Sequence, residues 1–314
     1  MKRPLIVLTG PTAVGKTKLS ISLAKAVNGE IISADSMQVY QYMDIGSAKI
    51  KKEEMQGITH YLIDVLRPDE EFHIVKFQQM AKEAMEAIYA KGKIPILTGG
   101  TGFYIQAITK DIDFTEATQQ DTYRTELEEL ATEKGAQHLH EMLVKVDPKA
   151  AEEIHPNNVK RVIRALEFFH QNGSPISKHN QEQKENQSPY NFAYFVLNAP
   201  RDLLYARIEQ RIDEMLEEGL LEEVMKLKEM GFHRGMVSMQ GLGYKEILAY
   251  LEEEYSLEEA IRILKRDTRH FAKRQLTWFR RETDVTWVNK EEFAYNDEQM
   301  LEYMLSVCKK KGMI

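Results

Sequence analysis

The stretch Gly10-Pro11-Thr12-Ala13-Val14-Gly15-Lys16-Thr17 has the spacing G-x-x-x-x-G-K-[ST] of a loop that cradles phosphate. Its glycines let backbone N–H groups turn inward on an anion, and the start of the following helix adds its dipole. Lys16 brings an ammonium to a terminal phosphate, and the Thr17 hydroxyl is placed to ligate Mg²⁺. The flanks suit such a loop. Residues 5–9 are an apolar run that reads as a buried strand, and 18–26 follow with helical spacing and no Pro or Gly.

Two other turns follow strand-like segments. Residues 30–35 read as a second strand, and Ser33-Ala34-Asp35-Ser36-Met37-Gln38-Val39-Tyr40 runs off its end. There Asp35 could order Mg²⁺ or take a proton from a nucleophile lying over the phosphate loop. The plainer alternative is an Asp that caps a local turn. Residues 94–98 read as another strand, leading into Gly99-Gly100-Thr101-Gly102-Phe103-Tyr104. Glycines here permit close approach of a ligand, and Thr101 offers a hydroxyl at that point; an ordinary strand-to-helix turn is the alternative. Arg207 and Arg211 lie one turn apart on a predicted helix over 202–218, whose apolar stripe is Leu204, Ile208, Ile212 and Met215. Arg211 falls at the margin of that stripe. A guanidinium directed toward the core needs an anion, either a bound phosphate or a carboxylate partner.

Residues 262–281 hold Arg262, Lys265, Arg266, Arg269, Lys273, Arg274, Arg280 and Arg281 against a single acid, Asp267. On a helical projection Arg262, Arg266, Arg269, Lys273 and Arg280 fall in a narrow arc, opposite Ile261, Leu264, Phe271, Trp278 and Phe279. A basic face of this kind is the electrostatic footprint of a polyanion site, unless acids elsewhere in the fold pair with it. A smaller version occupies 157–171. Val159, Ile163, Leu166 and Phe169 face one way there, and Lys160, Arg161 and Arg164 the other. Two basic faces suggest contacts along an elongated anion such as RNA.

The elements that must position these groups alternate strand and helix up to residue 112. A third strand is expected at Tyr61-Leu62-Ile63-Asp64-Val65, and a helix over 77–91 ends at Gly92. Such alternation predicts a parallel sheet covered on both faces, with ligands at the C-terminal strand ends. Asp35 and Thr101 then share one sheet edge with the phosphate loop. The pattern changes after Asp113, and residues 121–172 hold no good strand. Helices are expected at 121–133, 136–145 and 157–172, and the polar segment 178–189 reads as an exposed loop or hinge. Strands return at 192–197 and 285–288. The expected organisation is an α/β core built from 1–112 and 189–314, with a helical insert over 113–188.

Composition sets outer limits. Of 314 residues, 29% are charged and 43% hydrophobic, as in ordinary globular chains. The net charge of −7 argues weakly against nucleic acid as an average, but the local basic faces point the other way. No apolar run approaches the roughly 18 residues of a membrane helix, and no signal-peptide pattern is seen, so a cytoplasmic protein is expected. Cys308 is the single cysteine, which leaves no intrachain disulfide and no cysteine-based zinc site. Histidines are scattered, so Mg²⁺ is the one metal expected.

Together these pieces resemble the bacterial tRNA dimethylallyltransferases, also called isopentenyl-tRNA transferases. The resemblance is carried by the three turns above and by Arg161-Val162-Ile163-Arg164-Ala165-Leu166-Glu167, Gln240-Gly241-Leu242-Gly243-Tyr244-Lys245-Glu246 and Ala272-Lys273-Arg274-Gln275-Leu276-Thr277-Trp278-Phe279-Arg280. They span nearly the whole chain. Gly241 departs from the pattern, in which Ala is more common.

The resemblance implies a P-loop NTPase-like parallel sheet flanked by helices, with an inserted all-helical domain that contacts tRNA; a monomer is expected. It implies transfer of a dimethylallyl group from dimethylallyl diphosphate to N6 of the adenosine 3′ to the anticodon. Gly10, Thr12, Ala13, Val14, Gly15, Lys16, Thr17 and Arg211 would then hold the diphosphate, with Mg²⁺ on Thr17. Lys16 and Arg211 would stabilise its departure, Asp35 would accept the N6 proton, and Thr101 would position a base flipped out of its stack. Ser36, Met37, Gln38, Arg124, Lys160, Arg161, Arg164, Lys245, Arg262, Arg266, Arg269, Lys273 and Arg274 would contact the anticodon stem-loop. P-loops bind ATP and diphosphates alike, so two other readings stay open. One is a small-molecule kinase with Asp35 as base, and the other a nucleotide-switched RNA-binding protein without catalysis.

Overall fold

Strand β1 (Arg3–Thr9) lies at the middle of a six-stranded sheet of order β3-β2-β4-β1-β5-β6, in which every pairing is parallel. The structure is a computed structural model that describes residues 2–114 and 122–314; residues 115–121, where the first insert helix was expected to begin, lie outside it. The remaining strands are β2 (Gly29–Ser33), β3 (His60–Tyr61), β4 (Ile94–Gly99), β5 (Tyr190–Asn198) and β6 (Val285–Asn289). Residue contacts divide the chain into two units, Met1–Thr109 with Pro189–Ile314, and Lys110–Ser188.

In the first unit the near-continuous apolar runs of the central strands are buried on both faces, as parallel strands under helices must be. Along β5 the side chains of Ala193, Phe195 and Leu197 enter one core, and those of Tyr194 and Val196 the other. The first core is closed by α1 (Lys16–Ala26) and α12 (Asp297–Lys310). The second takes side chains from α2 (Ile74–Ala90), α3 (Gly102–Thr109), α8 (Arg201–Glu217), α9 (Leu220–Glu229), α10 (Tyr244–Leu251) and α11 (Leu257–Phe279). Because β4 is inserted between β1 and β2, the chain leaves β1 toward one side of the sheet and leaves β4 toward the other. In open parallel sheets ligands bind where the connections diverge in this way, at the C-terminal ends of β1 and β4.

The second unit is helical: α4 (Thr122–Val146), α5 (Pro148–Glu153), α6 (Val159–Asn172) and α7 (Ile176–Glu185). Gly135, at φ 84° and ψ 166°, breaks α4 where the sequence suggested two helices. Its core gathers Leu127, Leu139, Leu143, Val162, Ile163 and Leu166.

Three expectations need correction. The third strand keeps only His60 and Tyr61, because Leu62 (φ 63°) and Asp64 (φ 56°) leave the extended region. The segment read as a loop over 178–189 is helix through Glu185. It lacks an apolar face, and side-chain bonds hold it instead: Ser177 to Asp147, and Gln183 to the Asp113 amide. The buried face of α6 turns toward Val162 and Phe168, leaving Val159 and Phe169 at its margins.

Candidate active site

The turn after β1 places the phosphate loop at the C-terminal edge of the sheet. Gly10 (φ 148°) packs so closely on β5 that a Cβ would lie 2.5 Å from the Leu197 carbonyl oxygen. Gly15 (φ 89°) caps the N-terminus of α1 in a left-handed conformation that disfavours other residues. Thr9 Oγ1 donates to the Gly99 carbonyl at 2.7 Å, which joins the ends of β1 and β4.

Asp35 follows the end of β2. Its Oδ1 accepts the Met37 amide at 2.8 Å, so the turn-capping reading of this residue holds for one oxygen. Oδ2 has no hydrogen bond among the described residues. Ala34 is tied to β4 through both backbone groups: its N–H donates to Thr98 at 2.7 Å, and its carbonyl accepts from Thr101 at 3.3 Å. Asp35 and Thr101 are therefore fixed on adjacent strand ends, Asp35 half-buried and Thr101 at the start of α3.

Two cations complete the group. Lys16 Nζ donates to the carbonyls of Gly10 and Pro11 at 3.0 and 2.9 Å. Burial pushes its pKa down to about 8, with attraction to Asp35 opposing the fall and repulsion from Arg211 adding to it. Arg211 stands where the helical projection placed it, half-buried on α8, and among the described residues it forms no ion pair. Burial lowers its pKa from the usual arginine value, against the pull of Asp35, Glu214 and Glu54. Lys16, Arg211 and Asp35 thus form one electrostatic group at the mouth of the phosphate loop. Both cations act on Asp35 there, and Glu214 and Glu54 act further on Arg211; cations so placed suit a multivalent anion.

The Thr12 N–H is already used: it donates to Gln275 Oε1 at 2.9 Å, while Gln275 Nε2 donates to the Gly100 carbonyl at 2.9 Å. Gln275 was not singled out from the sequence. Its signal was a polar residue on the apolar side of α11, which a buried amide reaches only with partners. Lys290, beside the loop at Val14, was also missed, and nothing local in the sequence marks it. The segment after Asp35 has its own braces. Glu223 accepts the amides of Asp44, Ile45 and Gly46 and the Tyr244 hydroxyl, and the buried Lys49 bonds Tyr40, Asp44 and Asp64. Gln38 Nε2 donates to the Ala48 carbonyl at 3.2 Å. Ser36 and Met37 are half-buried, and the Met37 thioether lies where a Cβ at Gly241 would be, 2.5 Å from Cε.

The basic face of α11 is more fully paired than its sequence suggested. Arg262 bonds Glu259, one turn before the window, and Arg266 bonds Asp267. Lys265 and Arg269 reach Asp213 and Glu209 on α8. Lys245 pairs with Glu246 at 3.3 Å and Asp267 at 3.8 Å. Lys273 and Arg274 are exposed and form no ion pair among the described residues; Arg274 lies over the Phe271 ring. In the helical unit Lys160 and Arg161 are exposed and Arg164 is half-buried, while Arg124 bonds Glu128 and Glu167. No group of three or more His, Cys, Asp or Glu able to hold a metal occurs among the described residues.

Known proteins resemble this chain along most of its length. Residues 38–282 match the family described as IPP transferase. The tRNA dimethylallyltransferase of Lachnoclostridium phytofermentans is 63% identical over 99% of both chains, and that of Acetivibrio thermocellus 52% identical over 95% of both. Among solved structures, the tRNA isopentenylpyrophosphate transferase of Bacillus halodurans is 44% identical, with a TM-score of 0.74 over 99% of this chain and 98% of that one. A eukaryotic dimethylallyltransferase captured acting on tRNA gives a TM-score of 0.80 at 31% identity, over 91% of this chain and 74% of that one. With the family's match spanning most of the chain, and relatives this similar along its whole length, the chain belongs to the IPP transferase family.

Proposed function

We propose that this protein is a tRNA dimethylallyltransferase: it transfers the dimethylallyl group of dimethylallyl diphosphate to N6 of the adenosine 3′ to the anticodon, releasing diphosphate. The observation that carries the reading is the group Lys16, Arg211 and Asp35 at the end of the phosphate loop. Its cations suit a diphosphate leaving group, and its carboxylate oxygen Oδ2 is free to take a proton.

In the reaction the C1–O bond of the allylic diphosphate breaks and an N6–C1 bond forms. Lys16 exchanges the carbonyls of Gly10 and Pro11 for phosphate oxygens, and Arg211 adds a second cation as negative charge builds on the leaving group. Gly10, Thr12, Ala13, Val14, Gly15 and Thr17 form the walls of the same cradle. Asp35 accepts the proton that N6 loses and aims the amine at C1. The Thr101 hydroxyl holds the target base, which has to leave its stack to reach so enclosed a carbon.

Mg²⁺ fits the donor set. The exposed Thr17 hydroxyl makes no hydrogen bond among the described residues, and hard oxygen donors suit this ion. With no cluster of three metal-binding side chains among the described residues, Thr17 and the substrate's own oxygens would hold it. When bound it supplies further charge neutralisation for the departing diphosphate.

Ser36, Met37 and Gln38 contact the nucleotides around the target. Lys245, Arg262, Arg266, Arg269, Lys273 and Arg274 contact stem phosphates, as do Arg124, Lys160, Arg161 and Arg164 of the helical unit. The enzyme works as a cytoplasmic monomer. Incubation with unmodified tRNA and dimethylallyl diphosphate, followed by nucleoside mass analysis, tests the reading. A gain of C5H8 on one adenosine supports it; unaltered tRNA overturns it.

A further inference from the structure

Lys290 lies in the short turn after β6 and is only 7% exposed. Its Nζ donates to the Val14 carbonyl at 3.1 Å, and a Cβ on Gly15 would come within 3.1 Å of the same nitrogen. No other hydrogen bond and no ion pair engages this ammonium among the described residues. The charged groups facing it are Asp297, Arg207 and Lys18. Asp297 is already paired with Lys18 at 2.9 Å. Arg207, on α8, is half-buried and forms no ion pair among the described residues. A buried cation beside a second unpaired cation is costly unless an anion is brought near.

A trans peptide points its C=O and N–H in opposite directions. By holding the Val14 oxygen, Lys290 aims the Gly15 N–H away from itself, toward the inside of the loop. The cation on the carbonyl side also polarises that peptide, which strengthens its N–H as a donor. We propose that Lys290 is a positioning residue of the phosphate loop, setting its affinity for a diphosphate by orienting and polarising the Val14–Gly15 peptide from behind. Burial lowers the Lys290 pKa, with attraction to Asp297 opposing the fall and repulsion from Arg207 and Lys18 adding to it.

This inference rests on the phosphate loop being a diphosphate site. It predicts a selective loss: K290M keeps the buried stem and removes the charge and the bond. Its dissociation constant for inorganic diphosphate with Mg²⁺, measured by calorimetry, should rise about tenfold, the scale of one charge-assisted hydrogen bond. The KM for dimethylallyl diphosphate should rise in parallel. The KM for tRNA and the single-turnover rate at saturating donor should stay within about twofold, which a general loosening of the fold would not spare. K290Q, with a neutral donor on a shorter stem, should lie between wild type and K290M, and it decides the matter if K290M melts early. Diphosphate affinity unchanged in a folded variant, or tRNA and donor constants rising together, overturns the proposal. Calorimetry needs no turnover. If wild type binds diphosphate but transfers nothing, the activity reading fails while the role of Lys290 is still measured.

Discussion

The Thr101 amide donates to the Ala34 carbonyl at 3.3 Å, which joins the end of β2 to the turn after β4. Gly99 makes this approach possible: a Cβ there would stand 2.2 Å from the same Ala34 oxygen. The contact ties the backbone that carries Asp35 to that of Thr101, with the phosphate loop on the neighbouring strand. Geometry of that kind matters when two substrates must meet with an amine aligned on one carbon.

For Asp35 the account predicts a loss confined to chemistry. Asp35→Ala should lower the single-turnover transfer rate by roughly 10²–10⁴, the scale of a general base, with tRNA affinity close to wild type. Rates near wild type at saturating substrates would remove Asp35 from the proton-transfer role.

Lys16 and Arg211 should behave alike. If both act on the departing diphosphate, Lys16→Ala and Arg211→Ala slow transfer far more than they weaken tRNA binding. A variant that turned over at full rate while binding tRNA poorly would contradict the assignment.

Much of this site is legible in the sequence because it is local. The phosphate loop, the Asp35 turn and the Thr101 turn each follow a short apolar run, and alternation alone places them on one sheet edge. What escapes depends on tertiary partners. Lys290 meets Val14 from the far end of the chain, and Gln275 reaches Thr12 from another element, so no window of sequence holds either pair. The helix over Ile176–Glu185 escapes because its side-chain bonds, rather than an apolar stripe, hold it. The third strand was read too long because apolar alternation cannot show that Leu62 and Asp64 take positive φ. The pairing of Arg269 and Lys265 with acids on α8 was equally invisible.

Away from the site, Glu30 makes stability depend on acid. The carboxylate is buried, which alone would raise its pKa, but bonds from Lys93, Lys91 and Tyr61 win and hold it down at about 2. A depressed folded pKa adds stability that is fully present above the unfolded value of 4.5 and is lost as the pH falls toward 2. The stability gap between wild type and Glu30→Gln should therefore narrow by on the order of 2–3 kcal/mol across that window, less whatever solvent screens at the partly exposed lysines. Urea melts at pH 7, 4.5 and 3 read it; a constant gap would contradict the network.

The α11 face poses a question of competition, since several of its cations already have carboxylate partners. Stem phosphates must displace those pairs, which are weak where exposed. Arg269→Ala with Lys273→Ala should raise the KM for tRNA and flatten the log–log salt dependence by about one unit per lost contact. The donor KM and the choice of adenosine should hardly change, because phosphate contacts carry no base information. Unchanged tRNA affinity and salt slope would make this face a solvated helix surface.

Group transfer from an allylic diphosphate to one adenosine yields two products, and both can be counted in one reaction. Purified protein, Mg²⁺ and dimethylallyl diphosphate are mixed with unmodified tRNA, or with the same tRNA carrying guanosine at the position 3′ to the anticodon. One diphosphate should be released for each allyl group gained by the adenosine tRNA, and neither product should form with the guanosine tRNA. Diphosphate release without allylated tRNA, tRNA that is bound but unaltered, or phosphoryl transfer from ATP to a small hydroxyl compound as the only activity found would contradict it.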